Sequence, residues 1–187
     1  KEDPSVDLVS FFILRTHEDF GAGWASDELS LITFPYQRLF TTDLNTFDLV
    51  ILQNFNYKPY FDWDAPTLLE NIAQYVRDGG ALVMTGGDRS FDLGEYGNTP
   101  ISSILPVKLD VTGARVDETP FRPMPTTAGT NHPITRVAAT PEASLAAWER
   151  LPSMDGFNFT GGLVGGSAVL LEHPTRTEAD GEKVPII

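Results

Sequence analysis

The residues best placed to do chemistry lie in the run Thr85-Gly86-Gly87-Asp88-Arg89-Ser90-Phe91, which follows a short apolar stretch from Ala81. A strand that breaks into a glycine-flanked turn is how α/β folds lift a nucleophile above the sheet. Asp88 takes the elbow position of such a turn, with Arg89 and Ser90 as neighbours. On one reading Asp88 or Ser90 is the reacting group and His132 or His17 the base. A grouping of Ser90, His132 and Asp88 would supply nucleophile, base and orienting carboxylate. The competing reading is structural: Gly86 and Gly87 permit tight packing, Asp88 caps a turn, and Arg89 pairs with it. His132, in Asn131-His132-Pro133-Ile134, equally suits a turn.

Other chemistries are narrowed by what the chain lacks. It has no cysteine, which removes thiol nucleophiles, zinc–thiolate sites, iron–sulfur clusters and disulfides together. No G-x-G-x-x-G follows the first predicted strand and no G-x-x-x-x-G-K-[ST] occurs, so no phosphate cradle is expected. Asp19, Asp88 and His17 show no ligand spacing, and neither a metal nor a cofactor is expected. Phe55, Tyr57, Tyr60, Phe61 and Trp63 crowd one loop, where they suit stacking on a sugar, a protein partner, or the end of the sheet. Ligands of open parallel sheets bind outside the carboxyl ends of the strands. The expected small-molecule site therefore lies over Gly86, Gly87, Asp88, Arg89 and Ser90, walled by Asn54, Tyr57 and Phe91.

Such loops need strands and a helix to hold them. Apolar runs over 9–14, 29–34, 48–53 and 81–85 read as strands, with a loop over 16–27 and another over 54–63. Between the last two strands, Leu68, Leu69, Ile72, Tyr75 and Val76 mark one face of a helix. Asp64 stands at its N-cap, Pro66 in its first turn, and Gly79 at the left-handed position beyond its end. Short apolar strands with an amphipathic crossover predict a parallel α/β sheet covered on both faces. The second half is less regular. A strand with Pro106 at a sheet edge is expected over 104–111, an irregular excursion over 112–133, and a helix over 143–150. Strands are read over 168–172 and from 184 to the end.

At 187 residues the chain has the size of one domain, spanning 1–187, and enough length to bury a core without covalent staples. Its 26 acidic and 13 basic residues leave a charge of −13. Phosphate backbones are repelled by such a surface, so no nucleic-acid partner is expected. No apolar run approaches the roughly 20 residues that span a bilayer, and direct membrane insertion by this segment is not expected. The final apolar residues read as the start of a strand, which points to a piece of a longer protein. An open sheet edge there would favour homodimers.

Asp48-Leu49-Val50-Ile51-Leu52, the run from Tyr75-Val76-Arg77-Asp78-Gly79-Gly80 to Thr85-Gly86-Gly87, Ser90-Phe91 and Gly94-Glu95-Tyr96 together resemble the glutamine amidotransferase-like domains of bacteria. Thr99-Pro100, Leu105-Pro106-Val107, Asn131-His132-Pro133-Ile134, Trp148, Leu151-Pro152 and Gly156 extend the resemblance over about residues 47 to 158. It implies the class I glutamine amidotransferase-like superfamily and a flavodoxin-like three-layer sandwich with a mostly parallel central sheet. It also implies a soluble, extracytoplasmic part of a membrane-anchored bacterial protein with von Willebrand factor A-type domains, whose neighbouring domains would be its partners. Class I amidotransferases hydrolyse glutamine with an elbow cysteine, and this chain has none. The expectation is a non-catalytic domain that binds a ligand or a protein, with a hydrolase built on Asp88 or Ser90 as the alternative.

Overall fold

The computed structural model describes residues 3–11, 34–61 and 64–187. The strands expected over 9–14 and 29–34 and the loop over 16–27 lie mostly outside these residues, as do His17, Asp19, Trp24 and Trp63. The described remainder, Val9 to Phe11 and Phe34, is not in strand.

The unit that positions the elbow is a parallel β–α–β crossover. Strand β1, Leu49–Gln53, pairs with β2, Ala81–Thr85, in a register that runs from Leu49↔Ala81 to Gln53↔Thr85. Between them runs a thirteen-residue helix, here α3, Ala65–Arg77, preceded by the single turns α1, Tyr36–Leu39, and α2, Lys58–Phe61. The α2 turn replaces part of the loop expected over 54–63. Helix α3 buries Leu68, Leu69, Ile72, Ala73 and Tyr75, the spacing of one helical face. Its start matches the expectation except that Asp64 makes no side-chain cap bond. Its end is set by Gly79 at φ 107 and by Gly80, where a Cβ would run into the Tyr75 ring. The Tyr75 hydroxyl donates to the Phe47 carbonyl at 3.0 Å, so the helix ties down the chain just ahead of β1.

Side chains alternate across the two strands. Val50, Leu82 and Met84 pack on the first core, which also contains Phe40, Phe61, Leu69, Ile72, Tyr96 and Ile101. The opposite row is open: Leu49, Ile51 and Val83 are 46, 53 and 42% exposed. Parallel pairing among the described residues is confined to β1 and β2. The remaining sheets are small and antiparallel. Strand β3, Val116–Asp117, pairs with β5, Phe157–Asn158, while β6, Leu171–Thr177, lies between β4, Met124–Pro125, and β7, Lys183–Pro185. A second core gathers Phe121, Phe157 and Val184 with Phe159 and Ile186.

Several expectations for this half need correction. The strand over 104–111 reduces to one isolated bridge, Val107↔Leu163, made by Val164 N donating to Pro106 O and Lys108 N donating to Gly162 O, and Pro106 has no N–H with which to extend the ladder. The excursion over 112–133 holds β3, β4 and the short helix α4, Thr127–Asn131, capped by the Thr126 hydroxyl accepting from Gly129 N at 3.0 Å. The strand placed over 168–172 begins only at Leu171. The helix placed over 143–150 is α5, Pro141–Trp148, starting at a Thr140 cap.

Candidate functional site

Strand β1 ends at Gln53, and Asn54 reverses the chain at φ 48. Its side chain crosses to the loop after β2. The Asn54 Oδ1 accepts from Arg89 N at 2.7 Å, and Nδ2 donates to the Asp88 carboxylate at 2.7 Å. Glycine at 87 is what allows this approach, since a Cβ there would lie 2.6 Å from the Asn54 Cγ and closer still to Oδ1. From the other side β5 supplies Asn158, buried, whose Oδ1 accepts from Gly87 N at 2.8 Å while Nδ2 donates to Gly87 O at 2.9 Å. A Cβ at Gly86 would lie 2.9 Å from that same Oδ1. Two asparagines, one from each half of the chain, therefore hold the elbow as a pair of tongs.

The loop is also strained. Asn54, Phe91 and Glu95, at φ 48, 52 and 59, are the non-glycine residues with positive φ among those described, and all three border the elbow. Left-handed backbone is costly for Phe and Glu and persists only where surrounding contacts over-determine it. Those contacts are present. The Tyr96 hydroxyl donates to Phe55 O at 2.7 Å, the Tyr57 hydroxyl donates to Glu95 O at 3.3 Å, and Lys58 pairs with Glu95. Burial holds the Tyr96 and Tyr57 phenols above their ordinary 10, so both remain donors throughout the neutral range. The Lys58 hydrogen bond holds the Glu95 carboxyl below the usual value.

The expected site residues separate into groups. Asn54, Gly86, Gly87, Asp88 and Arg89 meet. Asp88 and Arg89 are exposed, and no ion pair joins them; the carboxylate's partner is Asn54. Arg89 has no carboxylate partner among the described residues. Ser90 is only 1% exposed, and no base lies within hydrogen-bond distance of its hydroxyl among the described residues. Tyr57 is buried in the first core, against Tyr96 at 5.0 Å between ring centroids, and so lies beneath the expected surface site. His132 Nδ1 accepts from Ile134 N at 3.3 Å inside its own turn, and no hydrogen bond joins it to Asp88 or Ser90. Asn158 was not legible as a site residue: Phe157-Asn158-Phe159 looks like any alternating strand.

Two concavities lie elsewhere. An open trough of about 640 Å³ runs over Val116, Asp117, Phe159 and Arg176. Its Arg176 and Asp117 pair with each other at 2.8 Å, and Glu118, also in its lining, has no ion-pair partner among the described residues. A polar dent of about 250 Å³ beside α3 is lined by Asn45, Asn71, Gln74 and Asp78. Neither touches the elbow. No three His, Asp or Glu side chains gather to hold a metal among the described residues. No helix among them is long and apolar enough to cross a membrane.

Residues 32–170, about three quarters of the chain, match the family model described as "Putative glutamine amidotransferase". No curated protein and no solved structure matches.

Proposed function

Because this chain belongs to the glutamine amidotransferase-like family yet contains no cysteine, we propose that it is a non-catalytic member acting as a ligand-binding or protein-interaction module. One observation carries the reading. At the turn where a nucleophile would stand, Asp88 is tied to Asn54, the neighbouring Ser90 hydroxyl is buried, and neither His132 nor His173, the histidines among the described residues, hydrogen-bonds to either residue. A weak nucleophile gains reactivity from an adjacent, oriented base. With no such base among the described residues, an exposed carboxylate and guanidinium on a loop whose backbone is held by Asn54 are recognition groups, able to accept from and donate to a polar ligand. The open apolar row of Leu49, Ile51 and Val83 supports the interaction half, since parallel strands are ordinarily covered on both faces. In this reading β1–α3–β2 is part of a flavodoxin-like sandwich. The module serves a membrane-anchored bacterial protein and contacts its neighbouring domains.

The test is a thermal-shift panel on the chain with glutamine, other amino acids, sugars, nucleotides and divalent cations, run beside an ammonia-release assay with glutamine. A ligand at one hundred times its Kd adds about 2.7 kcal/mol, a shift of about 5–10 °C for a chain of this size. Stabilisation that is lost in Asp88→Ala or Arg89→Ala, with no ammonia released, is the expected outcome. Turnover abolished by Asp88→Ala or Ser90→Ala would overturn the non-catalytic reading. A flat panel would move the role to the apolar sheet face.

A further inference from the structure

The second core is built around a histidine that the elbow chemistry does not use. His173 on β6 is 5% exposed and lies between Phe121, at a centroid distance of 4.4 Å, and Phe157, at 4.9 Å. Its Nδ1 accepts two backbone bonds, from Thr175 N at 3.1 Å and Arg176 N at 2.9 Å. That pattern fixes the tautomer: Nδ1 is unprotonated and the ring proton sits on Nε2. A proton added to Nδ1 would face two donors that have no other acceptor there, and the charge would be buried among rings. Protonation therefore requires the irregular stretch of β6 over 173–176 to open.

Two links carry that opening toward the elbow. The Phe157 ring packs on the imidazole, and Asn158, the next residue, is the buried arm of the tongs on Gly87. Arg176, whose N–H is bound to His173, also pairs through its guanidinium with Asp117. Asp117 stands opposite Phe157 in the β3–β5 register. We propose that His173 is a proton-operated latch, whose protonation frees β5 and releases Asn158 from the elbow. The surrounding charges agree with that direction. Arg176 on β6 and Lys183 on β7 oppose a cationic imidazole. Asp117 on β3 favours one but is engaged by Arg176, while β4 and β5 present Met124, Pro125, Phe157 and Asn158, which carry no charge. Burial, the larger effect, lowers the His173 pKa from 6.5. The inference does not depend on the elbow binding anything.

Amide exchange of the whole chain, followed by NMR from pH 7.5 to 5 and expressed as protection factors, reads the latch. An open state with an ordinary histidine gains at most about thirtyfold over the closed one across this range. The Gly87 amide should lose protection toward that limit, with little change above about pH 6.5 and a steady decline below it. The amide of Ile72, in the first core, should change far less. Asn can place Oδ1 where Nδ1 stands without titrating, so His173→Asn should flatten the Gly87 response. Flat Gly87 protection in the wild type, equal loss at Ile72, or an undiminished response in His173→Asn would each overturn the proposal. Should that variant fail to fold, protonation of His173 in the wild type, read at its Cε1 proton, with Gly87 protection unchanged would overturn it equally.

Discussion

If the approach of Asn54 to Gly87 organises the elbow, substitutions at the two positions must be strongly non-additive. Gly87→Ala places a methyl 2.6 Å from the Asn54 Cγ, on a backbone with φ 156. Overpacking of this kind costs about 1–3 kcal/mol. Asn54→Gly removes one hydrogen bond to Arg89 N and one to the Asp88 carboxylate. Both lie at the surface, so their combined loss is about 1–2 kcal/mol, and glycine accepts φ 48 without strain. In the double variant the methyl has no asparagine to meet. Its cost should fall below the sum of the single costs by at least about 1 kcal/mol. Urea unfolding of the four proteins, with a common slope, measures the cycle. Additivity within about 0.5 kcal/mol would mean that the loop relaxes freely, and the rigid-elbow argument would fail.

Three further outcomes are expected. The Thr85 hydroxyl, at the end of β2, is buried with no hydrogen-bond partner among the described residues; Thr85→Val should therefore raise stability by up to about 1 kcal/mol, read as a higher urea midpoint. Tyr96→Phe leaves the Phe55 carbonyl without its donor and should cost about 1–2 kcal/mol, while alkaline titration of the wild type should show this phenol ionising well after an ordinary one. Because the folded-state pKa of His173 is lowered, the unfolded chain binds the proton more readily. Stability should decline as pH falls below 6.5 and level off once the lower folded-state value is passed, and urea midpoints in His173→Asn should show a smaller decline.

The β1–α3–β2 crossover was legible because each element carries its own local signal. Leu49 to Gln53 and Ala81 to Thr85 are short apolar runs, and the α3 face repeats with helical spacing between Pro66 and Gly79. The glycines after β2 were legible as a tight turn, but not what they make room for. Asn54 and Asn158 reach Gly87 from 33 and 71 residues away, and no local pattern encodes such a meeting. Ser90 and Tyr57 illustrate the complementary limit. Their residue types suggest a surface role, yet Ser90 is buried and Tyr57 packs against Tyr96 with its hydroxyl on Glu95 O, 38 residues away. The second half was hardest to read because its strands are two or three residues long except for β6, too short to show alternation.

The division into two cores also bears on the order in which a growing chain can fold. The first core draws its buried members from residues 40–107, whereas the second waits for Val184. On a ribosome the crossover can assemble while β5 is still unmade, its contacts being the more local ones. During that interval the Gly87 turn is held by Asn54 alone. The second grip, across 71 residues of sequence, closes only after β5 has emerged, so the elbow is among the last parts of the molecule to acquire its final stiffness.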